Sequence, residues 1–105
     1  MSDVAPLSLL SATVLMDASL EGWSLLEPWN DGTRVFRYHV SFSRTFSTPP
    51  VVQVGIVGLD VSKEDNLRIR VRPIDITSAG FTLEAETWLY TKIWSVDVSW
   101  LAIGS

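Results

Sequence analysis

Residues 67–87 read "LRIRVRPIDITSAGFTLEAET". Two alternating runs flank a turn-rich segment. In the first, Leu67, Ile69 and Val71 point one way, and Arg68, Arg70 and Arg72 the other. In the second, Phe81, Leu83 and Ala85 oppose Thr82, Glu84 and Glu86. A period of two belongs to a strand with one buried face. Between the runs, "PIDITSAG" (73–80) supplies the proline, aspartate, serine and glycine of a connection. A hairpin through it is expected to set Arg70 across from Glu84 and Arg68 across from Glu86. Cross-strand pairs of opposite charge contribute roughly 0.2–1 kcal/mol each.

The same period extends outward. In "RVFRYHVSF" (34–42), Phe36, Tyr38, Val40 and Phe42 share one face; Arg37, His39 and Ser41 share the other. "VVQVGIVGL" (51–59) is rich in β-branched residues and nearly continuous, the pattern of a strand buried on both faces. Thr48-Pro49-Pro50 marks its entrance, because proline is tolerated there and not in mid-sheet. A last strand is expected from about residue 93 to 103. On it Trp94, Val96, Val98 and Trp100 face one way, and Ile93, Ser95, Asp97 and Ser99 the other. Parity therefore puts Trp94 and Trp100 on the core side. "SLLSATVLM" (8–16) reads as an early strand, or as the start of a short helix. The tally is six strands in an all-β, antiparallel β-sandwich. Residues 1–105 form one domain, without repeats or linker, and residues 1–8 are a flexible or interfacial arm.

Composition narrows the function. The chain has 105 residues, a hydrophobic fraction of 47% and a net charge of −4. That supports a real core and gives no basic footprint for nucleic acid. The absence of cysteine excludes disulfides, thiolate zinc sites and cysteine nucleophiles. No Lys or Arg precedes Arg34, so the n-region of a signal peptide is missing. No run approaches the roughly 18 apolar residues of a spanning helix. The expectation is a soluble protein, not inserted in a membrane, made in the cytoplasm and acting there, outside the cell or on a particle surface.

No catalytic constellation is visible, and no enzyme is expected. His39 is a lone histidine on a strand, without the partner that acid–base work requires. "GLDVSKEDN" (58–66) offers Asp60, Glu64 and Asp65 but lacks the ligand spacing of a calcium loop. It reads as a solvated hairpin tip, with neither metal nor cofactor. Arg70 and Arg72 read as a paired polar face, whereas Arg68 sits at its strand's entrance, free to offer planar donors to a ligand. "DASLEGWSLLEPWNDG" (17–32) is a long irregular connection, a class often functional. Within it Asp31 suits a turn, and Trp23 and Trp29 either staple the connection to the core or stay exposed for binding. Trp88 and Trp94 bracket "LYTK" (89–92) and suggest two walls of a shallow site. Aromatic faces, a carboxylate and a guanidinium are the parts a neutral sugar needs.

Residues 46–103 resemble the H-type lectin domain of snail agglutinins and of the C-terminus of slime-mould discoidins. The matching pieces are Phe46 with Pro49-Pro50, "GLD" (58–60), "NLRIRV" (66–71), Gly80-Phe81, Thr87-Trp88 and "WSVDVSW" (94–100). The match extends more loosely back through "NDGTR" (30–34). The resemblance implies a six-stranded antiparallel sandwich and a homotrimer, in some members stacked as a hexamer. Sugar sites lie between protomers and bind galactose or N-acetylgalactosamine without metal. By position, Asp31 and Arg68 would hold sugar hydroxyls, Trp88 would line the site, and Trp94 would replace a tyrosine. Two departures bear on the sugar. Leu89 stands where a snail lectin has a histidine near the N-acetyl group, and Trp29 stands where a glycine offers its backbone. Two functions follow: a multivalent lectin, or a structural trimer such as a spike or fibre head with an altered glycan site.

Overall fold

The structure is a computed structural model that describes residues 7–27 and 32–105. Six strands follow in chain order: β1 (Ser8–Asp17), β2 (Thr33–Ser41), β3 (Val51–Val61), β4 (Arg70–Ile74), β5 (Gly80–Trp88) and β6 (Ile93–Gly104). They form two three-stranded sheets, ordered β1-β6-β3 and β2-β5-β4, in which every neighbouring pair is antiparallel. This is the expected all-β sandwich, and residues 8–17 are a strand rather than a helix.

The core lies between the two central strands. Val96, Val98, Trp100 and Ala102 of β6 meet Phe81, Leu83 and Ala85 of β5, all buried. At one end of the sandwich Phe42, Phe81 and Trp100 form an aromatic cluster, with Phe81 and Trp100 edge to face at 5.4 Å and Phe42 5.8 and 5.7 Å from them. Gly80 opens β5 there, where a β-carbon would stand 2.3 Å from the Val40 carbonyl oxygen. The antiparallel order sends the connections after β1, β3 and β5 to the opposite end.

Three sequence expectations change. The β4–β5 hairpin pairs Arg70 with Glu86 and Arg72 with Glu84, not Arg70 with Glu84 and Arg68 with Glu86. β4 continues through Pro73 and Ile74, which shortens the turn and moves the register by two. A shift of two keeps every side chain on its face. Pro73 is tolerated because β4 is an edge strand. Second, β3 is not buried on both faces. It too is an edge strand, and Val51 and Val57 are 65% and 62% exposed. A bulge at Val57 lets Ile56 and Gly58 face Val98 and Asp97 in succession.

The third change is at Trp94. β3 pairs Asp60 with Ser95 but Val61 with Ile93, so Trp94 is an extra residue of β6. The bulge resets the alternation: Ile93 is fully buried and Trp94 is 51% exposed. Parity had assigned the reverse. Trp100, beyond the bulge, is in the core as expected.

On the outer face of the second sheet, Glu84 is only 4% exposed. Arg37 of β2 reaches it at 3.0 Å and Arg72 of β4 at 2.7 Å, and Arg70 meets Glu86 at 2.9 Å. The hydrogen bond from Arg72 is the main cause that holds the Glu84 carboxyl below its ordinary value, with Arg37 adding to it and burial opposing. A carboxyl depressed by folding adds stability above its unfolded pKa and loses it as pH falls through the folded one. Thermal stability is therefore expected to decline from about pH 4.5 downward. Glu84→Gln should melt lower at neutral pH and show a flatter acid limb. Melting curves between about pH 7 and pH 3 check this, and parallel acid limbs in the two proteins would remove Glu84 as the cause.

Candidate functional site

The end of the sandwich away from the aromatic cluster is built by the described parts of three connections, residues 18–27 with 32, 62–69 and 89–92. Side-chain hydrogen bonds to backbone carbonyls lock them together. Thr87 Oγ1 donates to the Arg68 carbonyl, and Thr91 Oγ1 donates to that of Asn66. Both threonines are buried, so the segment carrying Arg68 is fixed against the segment carrying Trp88 and Leu89. The connection after β1 is stapled from the other side. Trp23 Nε1 donates to the Ile93 carbonyl at 3.0 Å, and its ring lies 4.9 Å from that of Phe36. Of the two readings of Trp23, the staple is the one observed.

Arg68, Trp88 and Leu89 thus come to one end of the sandwich. Arg68 is half-buried, and its Nη1 makes a long 3.5 Å contact to the Asn66 carbonyl of its own loop. Trp88 is also half-buried. The Arg70 guanidinium lies 5.2 Å from its ring centroid and is itself anchored on Glu86. A cation over an indole face is attractive, and here it holds Trp88 at the strand end. Sequence reasoning placed Arg70 in a polar ladder and missed this second contact; Arg70 pairs directly with Glu86, and Trp88 lies two residues beyond Glu86 on β5.

Leu89 has φ of 58°, a left-handed backbone that disfavours a bulky side chain. Trp94 projects from the β6 bulge, and its carbonyl accepts from the Ala18 amide at 3.0 Å. No ring contact joins Trp94 to Trp88 among the described residues. Tyr90 and Leu67 are exposed nearby in sequence, at 50% and 52%. Asp31 and Trp29 lie outside the described residues. His39 is exposed opposite Thr82, and no metal-ligating cluster of three or more side chains is found among the described residues. No helix among them is long and apolar enough to cross a membrane.

Sequence reasoning also missed Arg34. It opens β2 one residue from its start, faces inward opposite Thr87 and is 4% exposed. Its Nη1 donates to the Leu25 carbonyl at 3.1 Å, and its Nη2 to the carbonyls of Leu89 and Thr91 at 2.8 and 2.7 Å. Its place opposite an inward strand position was the available signal. Burial holds its pKa below the ordinary value, against the charge of Glu27; an arginine remains a cation throughout.

Comparison with known proteins bears on this end of the molecule. Residues 37–103 match the family model described as the H-type lectin domain. A protein of Fuscovulum blasticum named ATP synthase subunits region ORF 7 is 37% identical over 75 residues, covering 71% of this chain and 65% of that protein. Recombinant discoidin II of Dictyostelium discoideum has a TM-score of 0.80 at 22% identity, over 99% of this chain and 39% of the discoidin. A structure of wild-type discoidin II gives 0.79 at 22% identity, over 98% and 38%. The chain therefore spans under two thirds of each of these relatives, and the likeness to discoidin II carries the fold.

Proposed function

Because the chain belongs to the H-type lectin domain family, it is a non-catalytic carbohydrate-binding module, and we propose that it takes galactose- and N-acetylgalactosamine-type glycans at sites formed between protomers. The observation that carries this reading is the meeting of Arg68, Trp88 and Leu89 at one end, with Trp94 turned outward by a bulge. Trp88 offers an apolar face for the carbon side of a sugar ring. Arg68 offers a guanidinium whose donors suit vicinal hydroxyls, and Asp31 would accept from the same hydroxyls. An exposed Trp94 suits the second wall of a neighbouring protomer's site. Leu89 supplies no polar group toward an N-acetyl substituent, so galactose is expected to bind about as well as N-acetylgalactosamine.

The edges of both sheets are open in a single protomer, which suits a homotrimer, alone or stacked as a hexamer. Such an assembly presents several weak sites together, and avidity raises effective affinity by roughly 10²–10⁴ where the geometry allows. Titrating tryptophan fluorescence with the two sugars tests the reading, alongside a glycan array and light scattering after gel filtration. A saturable change with either sugar, from an oligomer, is the expected result. A flat response across the array from an intact oligomer would leave the structural spike or fibre head as the better account. A monomer of 11.7 kDa would remove the inter-protomer site.

A further inference from the structure

The three loops of the site end converge on one buried charge. Arg34 reaches Leu25 in the first connection and Leu89 and Thr91 in the third. Thr91 passes the tie on to Asn66 in the second. A desolvated guanidinium needs acceptors, and these carbonyls replace the water it lost. Its Nε has no partner among the described residues, so the group is held by its two outer nitrogens alone. Two of its three bonds enclose residues 89–91, where the backbone is unfavourable. Leucine in the left-handed region persists only when its surroundings impose it, and the contact made to this residue's own backbone is Arg34 Nη2 on the Leu89 carbonyl.

We propose that Arg34 is the positioning residue of the binding site: its buried guanidinium holds Leu89 left-handed and thereby sets where Trp88 and the 89–92 loop stand, without itself touching glycan. This rests on the carbohydrate-binding reading for its consequence, but not for its geometry. The clamp acts through its neighbour. Freed of it, Leu89 relaxes toward negative φ, the peptide after Trp88 turns, and the indole loses its fixed angle to Arg68. Ordinary core arginines would lower stability alone; this one sets affinity through the conformation of a single residue.

A double-mutant cycle separates the two roles. Glycine adopts positive φ without the β-carbon penalty, so it should make the clamp dispensable. Arg34→Gln is expected to weaken binding of galactose and N-acetylgalactosamine by about tenfold or more, and to speed amide exchange at residues 89–92 by a similar factor. In the Leu89→Gly background the same substitution should change each quantity by less than about threefold. If Arg34→Gln does not fold, Arg34→Lys replaces it, since an ammonium keeps the charge but cannot span the three carbonyls. Equal losses in both backgrounds, or none in the parent, would overturn the proposal. If the parent binds neither sugar, the carbohydrate reading fails, and the exchange measurements alone decide the role of Arg34.

Discussion

Phe81→Ala is expected to lower the melting temperature by roughly 15–30 °C, the largest stability effect of any single substitution considered for this domain. Phe81 is fully buried at the start of the central strand β5. Its ring fills the space between the sheets, edge to face with Trp100 and 5.8 Å from Phe42. Truncating a buried phenylalanine costs about 3–5 kcal/mol through lost burial and an unfilled cavity. The site lies at the other end of the same strand, so well below the melting temperature sugar affinity should hold within a factor of about two, the usual additivity of distant positions. A calorimetric scan and one titration read both quantities. A fall under about 5 °C would show that contacts elsewhere, such as those between protomers, dominate stability.

The contrast between the two ends explains what the sequence disclosed. Alternation over residues 81–87 and 34–42 is a direct record of one buried face, and it put Phe36, Val40, Phe81, Leu83 and Ala85 in the core, where they are. Alternation records parity and not register. The β4–β5 pairing was therefore placed two residues out, with all faces right. It also fails at a bulge, because an extra residue reverses the parity of everything beyond it. Ile93 and Trp94 exchanged roles for that reason. Val51 and Val57 misled in another way: a β-branched run looks the same in a central strand and at an edge, and only strand order distinguishes them.

The candidate site was legible as residue types and less so as support. Arg68 and Trp88 were named from position and chemistry and Leu89 from the family resemblance, and hydrogen bonds do bring their segments together. The groups that hold them were not named. Arg34 shares the parity of Phe36 and Val40, which signals an inward place, but nothing in the sequence says which groups it, Thr87 or Thr91 bind. Their importance comes from carbonyls far away in sequence, at residues 25, 66, 68 and 89. Such partners are fixed by the fold, and one sequence contains no pattern that announces them.

Trp88→Ala is expected to weaken binding of galactose-type sugars about 30-fold or more while the oligomer persists. Trp88 is the half-buried aromatic that ends β5 at the loop end of the sandwich, and anchoring aromatics typically contribute about 2 kcal/mol or more on truncation, equivalent to roughly 30-fold in affinity. Its angle is fixed by Arg70, whose guanidinium stands 5.2 Å from the ring and is tethered to Glu86 at 2.9 Å. A graded series sharpens the test. Trp88→Phe keeps an aromatic face of smaller area and should fall between parent and alanine. Arg70→Gln leaves the indole in place but removes the cation that orients it, a contact of roughly 0.5–1 kcal/mol at an exposed position, so a loss of about two- to fivefold is expected. Thermal melts on the same proteins separate the site from the fold. If Trp88 only packed, its truncation would lower the melting temperature and leave affinity within about threefold of the parent, less than a single anchoring contact contributes. An affinity order of parent, Arg70→Gln, Trp88→Phe and Trp88→Ala, with light scattering unchanged across the series, would tie recognition to this indole and to the charge that aims it.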